Sequence, residues 1–322
     1  MTTSLIERFR DRLPVSAKTP VVSLGEGSTP LLSAPRLADS AGIRELWLKW
    51  EASNPTGSYK DRGMTVAVSR ALEQGAEAVL CASTGNTAAS AAAYAARAGL
   101  PALVLTPEGA VSGAKLAQTR MLGATVLEVQ GSFDDALRAA QELADRGTHV
   151  LVNSLNPDRR EGQKTAVFEI VEELGSPPDA FVVPYGGGGN TRAYARGMRE
   201  LGIDARLVSV EAAQRPTTLA SAIRIAAPAH AASVAASGAE IVAVRDEDIV
   251  EAWRELAQTE GLFCEPASAA GLAALRLGAV RAARVVVTIT GHGLKDPEAA
   301  ALHAPLAAEV DPDPDAIAGA AA

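Results

Sequence analysis

The chain has 322 residues, a hydrophobic fraction of 48% and a net charge of −8, which suits two domains or one large α/β unit. An acidic balance with no basic block argues against nucleic acid or an anionic membrane as partner, and no apolar run reaches the ~18 residues of a membrane span. Two cysteines are too few for a disulfide scaffold and His149, His230, His292 and His303 form no metal-ligand set, so the reading is a soluble cytoplasmic protein without a metal.

Taken from the N-terminus, MTTSLIERFRDRL sets Leu5, Ile6, Phe9 and Leu13 on one helical face, which does not read as a secretory leader. A strand follows at 45–50, then the turn formers of NPTGS at 54–58 and a helix from Tyr59 through Ala71. Next come a strand at 77–82, a helix at 86–98, strands at 101–106 and 124–129, a helix at 132–146 and a strand at 148–152. A helix at 161–174 precedes strands at 180–184, 206–211 and 240–244. Helices at 246–260 and 267–279 lead to a last strand at 284–289. This alternation predicts an α/β protein with parallel-rich sheets covered by helices. Segment 226–239 is alanine-rich and shows no clear element. Residues 305–322, rich in Ala, Asp and Pro without core periodicity, read as a poorly ordered tail.

Ligands of such sheets gather beyond the carboxyl ends of the strands. Three polar, glycine-containing turns fall there. Ser83-Thr84-Gly85-Asn86-Thr87 offers hydroxyls, an amide and helix N-terminal N–H groups, suited to a carboxylate or phosphate, though a helix cap needs only one of them. Gly186, Gly187, Gly188 and Gly189 with Asn190 form a backbone-lined run that opens a helix, an arrangement suited to phosphate, with a plain flexible loop as the alternative. It is not a dinucleotide loop, because Thr191 stands where that pattern needs Gly or Ala. A Walker A loop and a nucleophile elbow are absent. The third turn, Thr290 to Pro297, contains His292, whose plain reading is a turn residue.

Only 6 of the 30 basic residues are lysines, yet Lys60 sits in the first turn of a helix just after a tight loop. The helix dipole disfavours a cation there. An exposed lysine at a frayed helix start is the bland explanation. A phosphate cradle together with a placed amine suggests pyridoxal 5′-phosphate, whose aldehyde condenses with a lysine and whose phosphate needs such a loop.

Four segments carry a resemblance: Glu51 to Met64 (EASNPTGSYKDRGM), Ala82 to Thr87, Asn153 to Thr165 and Thr290 to Pro297. They resemble the threonine synthases, members of the fold-type II (tryptophan synthase β-like) pyridoxal-phosphate enzymes. Gly25 to Leu31 and Cys264 to Ser268 are similar to that family as well. The resemblance implies a smaller domain at 53–152 and a larger one from 1–52 and 153–322, with the cofactor in the cleft between them, in a homodimer. It implies that Lys60 forms the Schiff base and is catalytic. Asn86 would meet the cofactor's 3′-oxygen, Gly186, Gly187, Gly188, Gly189 and Asn190 its phosphate, and Thr290 its ring nitrogen. Ser83, Thr84, Thr87, Ser154 and Arg159 would bind the substrate. The implied reaction is that of a carbon–oxygen lyase, converting O-phospho-L-homoserine and water to L-threonine and phosphate. The alternatives are a same-fold enzyme acting on another amino acid, such as a threonine or serine dehydratase or a β/γ-replacement enzyme, and a non-catalytic metabolite sensor, which would not need Lys60. For Arg159 the alternative role is an ion pair with Asp158 or Glu161. Two departures stand out. The family loop commonly reads Gly-Asn-Ala-Gly-Asn where this chain has Gly186 to Asn190, and 226–232 lacks the family's Gly-Asn-Pro-Ala-Ser-Trp run.

Overall fold

The computed structural model describes residues 3–108 and 114–320. Its ten strands are β1 (Leu31–Ser33), β2 (Glu45–Trp50), β3 (Ala78–Ala82), β4 (Ala102–Pro107), β5 (Thr125–Val129), β6 (His149–Leu151), β7 (Ala180–Pro184), β8 (Arg206–Ala212), β9 (Glu240–Val244) and β10 (Arg284–Ile289). They form two sheets. One is ordered β1-β2-β10-β7-β8-β9, the other β5-β4-β3-β6. Every pairing among these strands is parallel except β1 with β2. All nine expected strands are present. The three-residue β1 is the addition.

Both faces of each sheet are covered, and the strand sequences show it. In β10, Val285 and Val287 join one apolar cluster while Val286 joins another across the sheet. In β3, Val79 and Cys81 face one cluster and Leu80 and Ala82 a second. Such strands read as continuous apolar runs because neither side meets water. The N-terminal face behaves as its periodicity predicts. Leu5, Ile6, Phe9 and Leu13 are buried with Val66 and Phe168. Cys81 and Cys264 are free and buried. The alanine-rich segment holds a short helix, Ala231–Ala235, pinned by buried Val234. In the C-terminal tail, 304–313 has no regular element, and an exposed helix covers Pro314–Ala320.

A buried ion network fixes the elements that matter most. Arg62, fully buried, donates from Nε and Nη2 to Glu51 at 2.7 and 2.8 Å and from Nη1 and Nη2 to Glu169 at 2.8 and 2.6 Å. Nη2 also reaches Thr29 Oγ1, at 2.9 Å, and Lys49 Nζ lies 3.0 Å from Glu169. Burial pushes the Glu169 carboxyl up, but Arg62 and Lys49 outweigh it and hold it at about 2. This cluster joins the end of β2, the helix Lys60–Glu73 and the helix Pro157–Leu174. The two helices touch backbone to backbone. A Cβ on Gly162 would lie 1.9 Å from the Arg62 carbonyl oxygen, and one on Gly63 would lie 2.6 Å from that of Arg159. Only glycine permits this approach.

Arg62→Met should therefore cost about 3–5 kcal/mol, because two carboxylates lose their buried partner. Urea denaturation reads the loss. The sign of the pH effect follows from Glu169, whose folded value lies below the ordinary 4.5. Its contribution is complete above about pH 4.5 and fades as pH falls toward 2. The variant should show a flatter acid limb than the wild type.

Candidate active site

Lys60 begins its helix, as its place after the turn formers predicts, and is half-buried. Its Nζ donates to Tyr59 Oη at 2.6 Å and lies 4.4 Å from the centre of that ring. The loop before it is closed by Asp61. That carboxylate accepts from Thr56 N–H and hydroxyl at 2.7 and 2.6 Å and from Ser90 at 2.6 Å. Burial pushes Asp61 up to about 6, against the pull of Ser90 and Thr56. The loop also reaches the far sheet. Tyr59 N–H donates to the Thr290 carbonyl at 3.0 Å, which brings Lys60 beside the end of β10.

Five of the six lysines are buried or half-buried, and Lys18 is exposed. Lys49 and Lys164 pair with glutamates at 2.8 Å. Lys115 donates to Ser221 at 2.8 Å, and Lys295 donates to Thr56 O and Gln118 at 2.9 and 2.5 Å. Burial pulls Lys295 down to about 8. Among the described residues Lys60 has a phenol and no carboxylate as partner.

Asn86 opens the helix Asn86–Ala98 after β3. Its Nδ2 donates to both Glu265 oxygens at 3.0 Å, while its buried Oδ1 has no partner among the described residues. Glu265 N–H in turn donates to Gly291 O at 3.0 Å, next to Thr290. Thr290 is buried, with its hydroxyl 2.9 Å from Ser268 Oγ. Lys60, Asn86 and Thr290 thus come together through one chain of contacts. Ser83 Oγ accepts from Gly85 N–H at 3.1 Å and shapes the turn on which Thr84 and Thr87 lie half-buried. Asn153 locks that turn to the next one, exchanging two bonds with Ala82 at 2.9 and 2.8 Å.

Beyond β7, Gly186 to Gly189 lead into the helix Gly189–Glu200. Gly188 has φ +88°, and a Cβ there would lie 2.9 Å from Val234, so the turn requires glycine. A Cβ on Gly189 would lie 3.5 Å from that of Ser154, so this loop and the turn after β6 face each other. Asn190 Nδ2 is buried and unpartnered among the described residues. Arg159 is 1% exposed and gives one bond, from Nη1 to Val152 O at 3.1 Å. Its Nε and Nη2 have no partner among the described residues. Neither Asp158 nor Glu161 pairs with it, contrary to the simple ion-pair alternative. Burial pulls its pKa down, partly opposed by Tyr59, Cys81 and Asp61.

Four contributors are not singled out by the sequence: Tyr59, Glu265, Ser268 and the orphaned buried hydroxyl of Ser58. Ser58 and Tyr59 adjoin Lys60, and the other two lie in the Cys264 to Ser268 segment, which is their signal. His292 keeps its plain role. Its Nδ1 accepts from Leu294 N–H at 3.1 Å and caps a short turn of helix.

Two parallel-rich sheets, an amine and a glycine cradle define an enzyme class, and residues 22–291 match the family described as "Pyridoxal-phosphate dependent enzyme". The chain belongs to that family, and its cofactor is pyridoxal phosphate. Its curated relatives include the threonine synthase of Synechocystis sp., 49% identical over 92% of this chain and 84% of the relative. The threonine synthase of Mycobacterium leprae is 47% identical over 97% and 94%. Among solved structures, a mutant O-ureido-L-serine synthase superposes with a TM-score of 0.76 at 19% identity, covering 100% of this chain and 98% of that one, a likeness of fold.

The residues present fit that cofactor. Ser58 Oγ, Asn86 Oδ1 and Asn190 Nδ2 are buried polar atoms lacking partners among the described residues, and Asn190 adjoins a backbone cradle in which Gly188 has no room for a side chain. Arg159 supplies a buried charge without a counterion there. Its removal should spare the fold. Arg159→Met should keep or raise the urea midpoint, in contrast to Arg62→Met, since an unpaired guanidinium is costly to bury. Inorganic phosphate should raise the melting temperature of the wild type and not that of the variant. A lower midpoint in the variant would mark Arg159 as structural.

Proposed function

We propose that this protein is a threonine synthase, a lyase that converts O-phospho-L-homoserine and water to L-threonine and phosphate. The observation that carries the reading is Arg159, a buried guanidinium whose Nε and Nη2 have no partner and to which no carboxylate is bonded among the described residues. It lies in the first turn of the helix Pro157–Leu174, just after the Ser154 turn that faces the glycine loop, and such a charge calls for an anion such as a phosphate monoester. The relatives named threonine synthase support the same assignment. The two sheets serve as the cores of two domains, 53–152 and 1–52 with 153–322, and the cofactor lies between them. The enzyme is read as a cytoplasmic homodimer acting on a small amino acid, away from nucleic acid and membrane.

Lys60 would hold the cofactor's aldehyde as the Schiff-base lysine. The backbone of Gly186, Gly187, Gly188 and Gly189 with the Asn190 amide would hold its phosphate, and Asn86 its ring oxygen. Thr290, fixed by Ser268, would face the ring nitrogen. A hydroxyl there does not enforce protonation of that nitrogen as a carboxylate would. When bound, pyridoxal phosphate supplies an electron sink that acidifies the carbon beside the substrate amine.

This chain's residues do the rest. Ser83, Thr84 and Thr87 present hydroxyls and helix N-terminal N–H groups to the substrate carboxylate. Arg159 and Ser154 hold the substrate phosphate and take up its charge as the Cγ–O bond breaks. Lys60 Nζ takes protons from Cα and Cβ and returns them at Cγ and Cα. Tyr59 Oη, 2.6 Å away, keeps that amine aimed. Water adds its hydroxyl at Cβ, and its remaining proton leaves with phosphate.

The purified protein, given O-phospho-L-homoserine, should form threonine and phosphate in equal amounts. Deamination of threonine or serine in its place would sink the assignment. Lys60→Ala should lose turnover by orders of magnitude, since the tether and base are one amine. Borohydride reduction and peptide mapping should place the pyridoxyl group on Lys60. Its recovery on another lysine would refute the role given to Lys60.

A further inference from the structure

His230 stands in the 226–232 segment that departs from the family pattern, and the role assignments above leave it out. It is 5% exposed. Its backbone N–H donates to Gly187 O at 3.2 Å. Its ring is held from both sides: Nδ1 lies 2.8 Å from Arg192 Nη1, and Nε2 lies 3.2 Å from both the carbonyl oxygen and Oγ of Ser154. A guanidinium can only donate. Nδ1 must therefore accept, which puts the imidazole proton on Nε2, facing Ser154. Burial and the nearby Arg192 pull the pKa of His230 down, which keeps the ring neutral and this tautomer in place.

Ser154 itself is exposed. Its Oγ accepts from His230, so its own hydroxyl proton is free to donate. A Cβ on Gly189 would lie 3.5 Å from that of Ser154, so the glycine loop is its neighbour.

We propose that His230 is a positioning residue for a phosphate monoester, holding the Ser154 hydroxyl with its proton turned toward the substrate phosphate through the sequence Arg192 to His230 to Ser154. The proposal rests on the threonine synthase reading, which places the substrate phosphate at Ser154 and Arg159.

Three substitutions of His230 separate positioning from simple filling of space. Glutamine sets an N–H donor near the Nε2 position, asparagine keeps an acceptor near the Nδ1 position but loses that donor, and alanine keeps neither. With the holoenzyme, His230→Ala and His230→Asn should raise the KM for O-phosphohomoserine and the Kd for inorganic phosphate by roughly 3- to 10-fold, the worth of one hydrogen bond. His230→Gln should stay within about 3-fold of the wild type on the same scale. In a Ser154→Ala background, His230→Ala should have no further effect on the phosphate Kd. Equal losses in all three variants, or full additivity with Ser154→Ala, would overturn the proposal. A wild type that binds no phosphate and does not prefer O-phosphohomoserine to homoserine would instead overturn the functional reading on which it rests.

Discussion

The guanidinium of Arg62 is the joint on which this architecture turns. It lies out of water between two carboxylates, one at the end of a strand of the larger sheet and one on the helix Pro157–Leu174. A buried charge set of this kind tolerates little displacement, because each ion depends on its partners for the solvation it gave up. The arginine is two residues from Lys60, so the geometry of the ion cluster is passed directly to the amine. The glycine contacts at 63 and 162 follow from the same demand. They let the two helices approach until Glu169 reaches Arg62, and they draw the Arg159 backbone against the start of the lysine helix.

Two kinds of buried polarity lie side by side. Arg62, Lys49 and Lys164 are saturated by carboxylates. Near them, Arg159, Asn86, Asn190 and Ser58 carry atoms that the described residues leave without partners. Hydrogen-bonding capacity is seldom left unused inside a fold. Asn86, Arg159 and Asn190 follow β3, β6 and β7 in turn, while Arg70, Thr106 and Arg160 carry single unpartnered atoms elsewhere among the described residues.

Much of this was legible in the sequence. Central parallel strands buried on both faces, such as Ala180–Pro184 and Arg284–Ile289, give unbroken apolar runs, and the alternation with helices makes nine strands stand out. Leu31–Ser33 does not, because three residues at an antiparallel edge carry no period. The helix at Pro157–Leu174 starts four residues before the apolar period begins, at an Asn156 cap and Pro157, where local turn chemistry rather than patterning sets the boundary. Lys60 and the glycine run are visible because their residue types are out of place in ordinary turns. Glu265 and His230 act through contacts 179 and 76 residues away in sequence, to Asn86 and Ser154, and no local pattern announces such meetings.

The distribution of lysines has a chemical consequence. An aldehyde condenses with any accessible unprotonated amine, so a protein studded with surface lysines presents many competing acceptors. Here the side-chain amines other than Lys18 are buried or half-buried, and apart from Lys60, whose partner is the Tyr59 phenol, they are engaged by carboxylates, carbonyls, hydroxyls or amides. Arginine, which carries the remaining positive charge, forms no such adduct under the same conditions. The chain thereby achieves chemoselectivity by depletion. With Lys60 in its proposed role, a promiscuous electrophile meets one nitrogen because few others lie within its reach.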